Sequence, residues 1–450
     1  MKMKNGIIQP AAPVRPLILP PGFVFGASTS AYQIEGGAGP ETGRGPSHWE
    51  KYFAHRPHLE NGDVACDHYN RMPEDVALMK RMGLDAYRFS LSWPRILPKG
   101  TGRRNEQGLE FYDRLVDRLL EAGIEPYATL YHWDLPAALH EDGHGWLNRD
   151  TAFHFADYAA LASRRLGDRV KNWATLNEPE VIVAGYLGDG LAPGFRLPNK
   201  RVNVVHNLML AHGLGVQALR GAGSDLNVGI VTNLVPVEPA TPAAADVARL
   251  RWQRNYGLYL DAILKAQYPD NVLFEAECNR FKIPAGDMAI ISQPIDMLGV
   301  NWYLRQVVDE KDNVLDVPGA DKTLMGWEIC PSALSRMLVS MKAEYGSLLP
   351  PIFITENGAA IRDAVTKGKI HDPVRTKYIY DHLCELETAV ASGVDVRGYM
   401  AWSLFDNLEW SLGHAMTFGL VHVDRTTMKR TIKDSGLWYS KMIAAHRQTR

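Results

Sequence analysis

Eight short apolar runs recur along the chain, and each has the length of a buried β-strand. Between them lie longer segments in which apolar residues return every three or four positions, as they do in amphipathic helices. The predicted strands span residues 24–26, 86–90, 126–130, 172–175, 228–233, 297–301, 352–355 and 398–402. The predicted helices span residues 74–81, 106–121, 150–166, 203–221, 245–267, 332–345, 374–392 and 434–446.

This alternation of strands and helices predicts an α/β fold, a (β/α)8 TIM barrel. The strands are apolar on both faces, which is typical of parallel barrel strands covered by helices. No linker divides residues 23–450, so we expect a single domain there, with long loops on its C-terminal face after strands one, four and six. Residues 1–22 are rich in proline and lack periodicity, which predicts a mobile leader.

Polar or aromatic side chains stand at the ends of six of the eight predicted strands, where a barrel of this kind carries its active site. Any one of them has an ordinary explanation, such as a salt bridge for an arginine or core packing for a tryptophan. Six strands that all end in this way are hard to explain by packing. These residues are Arg88, His132, Trp133, Asn177, Glu178, Asn301, Tyr303, Glu356 and Trp402.

Two of the strand-end residues are glutamates in similar settings. Glu178 follows the run 173–177, and Glu356 follows the run 352–355. An isolated glutamate at such a position more often faces water, but two of them could flank one sugar. A pair of carboxyl groups across a glycosidic bond is the machinery of glycoside hydrolysis, so the pattern predicts a glycosidase and a catalytic barrel.

Composition narrows the range of partners and compartments. The net charge is −2, so we expect neither a nucleic-acid partner nor attraction to an anionic membrane. The cysteines, Cys66, Cys278, Cys330 and Cys384, have no zinc or redox spacing and are expected to be free thiols. No apolar run has the length of a signal peptide core or a membrane span, so we expect a cytoplasmic protein. A homo-oligomer remains open.

Three motifs that suggest a metal or a nucleotide are not convincing in their context. Residues 140–144 have the zinc-protease spacing His-Glu-x-x-His, but Gly143 predicts a loop where that motif needs a helix. Residues 221–223 are glycine-rich but follow a helix instead of a strand. Asp406 and Glu409 are better explained by loop bracing and sugar binding. We therefore expect no metal and no cofactor.

Five sequence motifs carry a resemblance to a known family. They are residues 25–36 (FGASTSAYQIEG), 131–136 (YHWDLP), 177–179 (NEP), 354–358 (ITENG) and 402–410 (WSLFDNLEW). Their order and content resemble the family-one glycoside hydrolases, the retaining β-glucosidases and their relatives, over nearly everything from residue 23 to 438.

The resemblance implies a role for each motif residue. Glu356 would be the nucleophile and Glu178 the general acid/base, with Arg88 and Tyr303 favouring the ionised form of Glu356 and Asn177 holding the sugar 2-hydroxyl. The substrate-binding residues implied by the family are Gln33, His132, Trp133, Asn301, Trp327, Trp402, Glu409, Trp410 and Phe418.

Four positions depart from the family pattern. The family usually has tryptophan where Glu180 stands, and often histidine at Leu191; His414 and Thr417 replace an aromatic residue and an arginine. Glu180 either makes the leaving-group site more polar or turns away to pair with a cation. Aglycone preference is therefore open.

The resemblance implies a retaining β-glucosidase acting on the non-reducing terminal β-D-glucosyl bond of aryl glucosides or short oligosaccharides. A galactosidase, a fucosidase, a transglycosylase and a non-catalytic glycan-binding barrel are the alternatives. A phospho-β-glucosidase is a further one, although Glu409 would repel a 6-phosphate.

Overall fold

A computed structural model describes residues 12–223, 225–269 and 281–448 of the chain. Eight parallel strands pair in chain order, and the last closes on the first, so the predicted (β/α)8 barrel is confirmed. The strands are β1 Val24–Ser28, β2 Ala86–Ser90, β3 Glu125–Tyr131, β4 Asn172–Asn177, β5 Asn227–Asn233, β6 Met297–Trp302, β7 Ile352–Asn357 and β8 Val396–Trp402.

A helix follows each strand and covers the outside of the barrel. The helices are α1 His68–Met82, α2 Glu106–Glu121, α3 Asp150–Leu166, α4 Arg201–Arg220, α5 Ala245–Leu264, α6 Ser332–Tyr345, α7 Pro373–Ala391 and α8 Asp434–Arg447. The helix α5 consists of Ala245–Trp252, a π-helical turn Gln253–Gly257 and Leu258–Leu264. Helix α1 begins before the predicted residue 74, with Pro73 inside it, and the pair His68–Asp75 stabilises its first turns.

Shorter elements lie in the connections. The short α-helices are Ala31–Ile34, His48–Ala54, Trp93–Ile96, Ala137–Gly143, Pro179–Leu187 and Asp287–Ile291, and the 3₁₀ turns are Pro40–Thr42, Gly145–Leu147, Pro198–Lys200, Pro242–Ala244, Gly346–Leu348 and Trp410–Leu412. The strands outside the barrel are Val237–Pro239, Gln306–Val308, Val314–Leu315, Ala364–Thr366, Lys369–His371, Val421–Val423 and Arg430–Ile432.

The loop predicted at residues 140–144 is wrong, because Ala137–Gly143 is a helix. Gly143 is its last residue, and His144 follows in the left-handed region with φ 56°. The glycines therefore end the helix instead of preventing it. The described residues still contain no group of three side chains that could hold a metal ion.

Long loops lie at the C-terminal ends of β1, β4 and β6, as expected from the sequence. Two more, residues 358–372 after β7 and 403–433 after β8, were not singled out by the sequence pattern. We call them the β7 loop and the β8 loop. All five surround the same end of the barrel.

The predicted leader can be compared with the structure only from residue 12, since residues 1–11 lie outside the described residues. Residues 12–22 pack against α7 and α8: Arg15 pairs with Glu387 at 2.6 Å, Leu17 is 4% exposed, and Trp438 donates to the Ala12 carbonyl. This packing differs from the mobile segment expected there, because its partners are remote in sequence. In the described part of the chain, no helix has the length and apolarity needed to span a membrane.

Alternation along the strands gives the barrel interior two different layers. Ala86, Tyr127, Met297 and Met400 form an apolar cluster at one level. Two residues further along each strand, nearer the C-terminal end, stand Arg88, Thr129, Gly299 and Trp402. Because side chains two apart share a face, an apolar plug closes the barrel below the level at which polar groups gather.

Candidate active site

Glu356, the second-last residue of β7, is held by a cation and a phenol. Its Oε1 accepts from Arg88 Nη1 at 2.6 Å, and its Oε2 accepts from the Tyr303 hydroxyl at 2.7 Å. Arg88 is itself fixed, because its Nε donates to Thr129 and its Nη2 donates to Asn177 at 2.6 Å. The predicted neighbours of Glu356 are therefore brought together.

Glu178, at the end of β4, has an amide as its partner instead of a cation. Its Oε1 accepts from Asn301 Nδ2 at 2.7 Å, and the described residues form no ion pair with it. The Asn301 side chain is oriented by Thr355, whose hydroxyl donates to Asn301 Oδ1. Glu178 also lies in the left-handed region, with φ 49°, where a non-glycine residue is uncommon.

The two carboxyl groups respond differently to burial. Burial raises the pKa of Glu178 well above the usual range, and the negative charge of Glu356 raises it further. Burial also raises the pKa of Glu356, but the Arg88 charge and the hydrogen bonds from Tyr303 and Arg88 act against that shift. As the pH rises, Glu356 therefore ionises first and Glu178 keeps its proton.

Asn177 and His132 are linked beside these groups. Asn177 Oδ1 accepts from Arg88 and Asn301, and its Nδ2 lies 3.1 Å from His132 Nε2. Burial, followed by the Arg88 charge, lowers the pKa of His132 well below its usual range. A neutral imidazole whose Nε2 accepts from Asn177 fits this geometry.

The residues expected to bind sugar hydroxyls lie on the opposite wall. Gln33 is buried and donates to Asn407 and to the Leu408 carbonyl, so it braces the segment that carries Glu409. Glu409 Oε2 is buried with no hydrogen-bond partner in the described residues. Burial, with the charge of Glu356, raises the pKa of Glu409 to about 8.

Aromatic rings surround the same space. Trp402 lies nearly parallel to the His132 ring, with ring centroids 5.9 Å apart. The rings of Trp410 and Trp133 have their centroids 4.7 Å apart. Trp133 Nε1 donates to the Asn177 carbonyl, which ties it to the end of β4. On the other side, Trp327 and Phe418 pack around Tyr303.

The interpretation in which Glu180 turns away to pair with a cation finds no such cation among the described residues. The described residues contain no ion pair for it; Oε2 accepts from the Asn233 backbone N–H at 3.3 Å, and Oε1 is enclosed without a partner. Burial raises its pKa to about 8. Its negative charge also contributes to the raised pKa of Glu178, which lies two residues earlier in the chain.

The other departures occupy the loops. Leu191 packs against the aromatic cluster that contains Trp49 and Trp410. The His414 backbone N–H donates to Glu60, and the Thr417 hydroxyl donates to the Ile361 carbonyl at 2.9 Å. Thr417 therefore fastens the β8 loop to the β7 loop.

Comparison with known proteins agrees with this geometry. The model of "Glycosyl hydrolase family 1" matches residues 16–448. The chain belongs to this family.

Relatives and solved structures in family 1 cover nearly the whole chain. "Beta-glucosidase A" of Thermotoga maritima is 44% identical over 94% of this chain and 97% of its own length. The "Bifunctional beta-D-glucosidase/beta-D-fucosidase" of Bifidobacterium breve is 40% identical over 96% of this chain and 99% of its own. A solved structure, "Family 1 b-glucosidase from Thermotoga maritima", superposes with a TM-score of 0.90 at 42% identity, covering 95% of this chain and 98% of that one.

Several residues of this family 1 site escaped the sequence interpretation. Thr129 and Thr355 orient Arg88 and Asn301, yet threonine in a barrel strand gives no signal of such a role. Lys433 pairs with Asp406, which the sequence had only assigned to loop bracing. Asn233 meets Glu180 only through the pairing of β4 with β5.

Proposed function

We propose that the protein is a retaining β-glucosidase that releases the non-reducing terminal β-D-glucosyl group from aryl glucosides and short oligosaccharides. The observation that carries the proposal is the asymmetry of its two buried carboxyl groups. Glu356 is paired with Arg88 and Tyr303, whereas Glu178 has only the Asn301 amide. Double displacement needs one ionised and one protonated carboxyl group across the glycosidic bond.

In the first step, the Glu356 carboxylate attacks the anomeric carbon and forms a covalent glycosyl ester. Glu178 donates its proton to the glycosidic oxygen, so the aglycone leaves as a neutral alcohol. In the second step, Glu178 takes a proton from water, and the resulting nucleophile cleaves the ester and restores Glu356. Overall, one glycosidic bond and one water O–H bond are exchanged, with net retention at the anomeric carbon.

The sugar would lie on the Trp402 ring, among groups that can bind its hydroxyls. Asn177 uses only one of its two amide hydrogens, on His132, and the other can donate to the 2-hydroxyl. The unpartnered Oε2 of Glu409 can accept from the 4- and 6-hydroxyls. Glu409 forms no ion pair with any described residue, so a 6-phosphate would place added negative charge there without a compensating cation from that part of the chain.

The leaving-group side would be more polar than in most of the family. Glu180 stands where an aromatic wall is usual, its Oε1 lacks a partner in the described residues, and it follows Glu178 by two positions at the start of the helix Pro179–Leu187. Trp327 would remain as an aromatic surface for the aglycone. This arrangement favours leaving groups with hydroxyls as well as rings.

A panel of 4-nitrophenyl β-glycosides, with products followed by proton NMR, tests the proposal. We expect the glucoside to be hydrolysed best and the first-formed glucose to be the β-anomer. A preference for the 6-phosphoglucoside, galactoside or fucoside would contradict the sugar assignment, and first release of the α-anomer would contradict retention. Glycosyl transfer to an alcohol in excess over hydrolysis would favour a transglycosylase.

Three broader predictions belong to the same proposal. A cytoplasmic location agrees with Cys66, Cys330 and Cys384, which are all unpaired thiols, and cell fractionation tests it. A possible homo-oligomer is tested by light scattering on the purified full-length chain. The expected lack of nucleic-acid binding is tested by a shift assay at low salt.

A further inference from the structure

The residue proposed to attack glucose and the residue proposed to bind its hydroxyls lie on different parts of the chain. Glu356 is the second-last residue of β7, just before the β7 loop, whereas Glu409 lies in the β8 loop. The first residue of the β7 loop approaches the last residue of β8 closely: a side chain at Gly358 would place its Cβ 1.7 Å from the Trp402 carbonyl oxygen. The distance from the attacking carboxylate to the sugar hydroxyls therefore depends on how the two loops are fixed together.

Glu409 cannot fix its own position through side-chain bonds. Its Oε2 has no hydrogen-bond partner in the described residues, although it is buried. The backbone before it is held on one side by Gln33, which donates to Asn407 and Leu408. Asp406 anchors it on the other side, where its N–H donates to the Val421 carbonyl, so the contacts of Asp406 contribute to fixing the backbone that carries Glu409.

Asp406 is held by a lysine that also reaches the β7 loop. Lys433 comes from the segment just before α8 and is completely buried. Its Nζ lies 2.6 Å from Asp406 Oδ1 and 2.6 Å from Asp363 Oδ2. One ammonium group therefore joins the β8 loop to the β7 loop.

The surroundings of this lysine form a closed set of charges. Arg375, from α7, donates to Asp363 at 2.9 Å and to the Thr417 carbonyl, so it spans the same two loops. Asp406 also accepts from the Gly419 N–H and faces His422. The Lys433 charge, with His422 and Arg375, lowers the pKa of Asp406 although burial acts to raise it.

We infer that Lys433 is a positioning residue: by bridging Asp363 and Asp406 it sets Glu409 at the distance from Glu356 that a glucosyl ring with a 6-hydroxyl requires. This inference rests on the proposed function. It assigns part of the sugar selectivity to a residue that touches no substrate. A role in stability alone predicts a different outcome, in which all sugars are affected equally.

The test compares 4-nitrophenyl β-glucoside with its 6-deoxy analogue, which lacks one hydroxyl that Glu409 would bind. The measured quantity is the ratio of their kcat/KM values. In Lys433→Met we expect that ratio to fall about fivefold or more, because Glu409 is no longer positioned to accept a hydrogen bond from the 6-hydroxyl. Lys433→Arg keeps the charge and should restore most of the ratio. An unchanged ratio in a folded Lys433→Met variant would overturn the inference.

Two controls separate positioning from general destabilisation. Leu219→Ala creates a cavity in α4, outside the barrel, and should lower Tm without moving the ratio. In a Glu409→Gln background, Lys433→Met should change the ratio no further. If Lys433→Met fails to fold, Asp363→Asn replaces it; this variant keeps the Lys433–Asp406 pair, and an unchanged ratio there overturns the inference. Absence of glucoside hydrolysis by the wild type would refute the proposed function instead.

Discussion

Carboxyl groups on two sides of the barrel mouth lie in opposite electrostatic surroundings. On one side, Glu356 is paired with Arg88 and Asp406 is paired with Lys433. On the other, Glu178 and Glu180 have no ion pair in the described part of the chain, and their pKa values are raised. Burial acts to raise all four pKa values; the cation reverses that shift for Asp406 and only opposes it for Glu356, whose pKa is still raised.

Glu409 shows that, within the β8 loop, the direction of the pKa shift follows the presence of a cation and not the side of the barrel. It lies in the same β8 loop as Asp406, but the described part of the chain forms no ion pair with it, and burial, with the charge of Glu356, raises its pKa to about 8. The pKa of Asp406, only three residues away, is lowered. For Asp406 and Glu409, the presence or absence of a facing lysine among the described residues therefore accounts for the opposite directions of the two pKa shifts.

Removing the ionised member of the pair breaks the comparison completely. We expect Glu356→Ala to lower kcat by several orders of magnitude, since no covalent intermediate can form. Stopped-flow assays with an activated aryl glucoside measure the loss. A 2-fluoroglucoside should label Glu356 in the wild type, and mass spectrometry that finds the label on another carboxyl group would refute the assignment.

Removing the protonated member should have an effect that depends on the leaving group. Glu178→Ala is expected to lower kcat/KM by about 10²–10⁴-fold for alkyl glucosides and disaccharides, which need protonation of the leaving oxygen. Activated nitrophenyl glucosides should lose far less in the glycosylation step. Equal losses across a series of leaving-group pKa values would count against the acid/base role.

Deleting the cation makes the two sides alike. In Arg88→Met, the pKa of Glu356 should rise by about one to three units, because burial is no longer opposed by the guanidinium charge. Glu356 must be ionised to attack, so the acidic limb of the kcat/KM profile should move to higher pH by that amount. Arg88→Lys is the matched control: it keeps the charge and should leave the limb near its original position. An unmoved limb in Arg88→Met would contradict the account.

Changing Glu180 should have the smallest effect on the pH profile. Glu180 ionises only near and above pH 8, and its charge then raises the pKa of Glu178; Glu180→Gln should therefore move the basic limb to lower pH by less than about one unit, and only if that limb lies near or above pH 8. Glu110→Gln, on the outer face of α2, is the matched control and should move nothing.

The same position also tests the leaving-group side. Glu180→Trp should change the ranking among alkyl, aryl and disaccharide substrates while a small activated glucoside stays within about tenfold, near 1.4 kcal/mol. If the ranking stayed the same, Glu180 would not line the site.

Local pattern was enough to predict the barrel. Each strand is a short apolar run, and α2 was predicted at its observed bounds because its apolar spacing and Gly123 are both local signals. The helix Ala137–Gly143 was missed, since glycines that end a helix and glycines that prevent one look the same in sequence. The packing of Leu17 was missed because it depends on α8.

For the candidate site, the sequence predicted which residues at the strand ends would lie close together. Arg88, Tyr303 and Glu356 meet because parallel strands end at one edge, which the fold class alone dictates. The direction of Glu180 could not be deduced, because it depends on whether a cation lies within reach. Lys433 was out of reach for the same reason: it follows Asp363 by 70 positions in sequence.

Glu178 holds its proton because it is buried, because Glu356 is charged, and because no cation among the described residues pairs with it. Carbon-13 NMR of the glutamate carboxyl groups, assigned with Glu178→Gln and Glu356→Gln, measures this protonation directly before and after trapping with a 2-fluoroglucoside. We predict that Glu178 titrates above the usual carboxyl range in the free enzyme, and that its pKa falls once Glu356 becomes a neutral ester. A Glu178 carboxyl that titrates in the usual range, or a pKa that trapping leaves unchanged, would contradict the account.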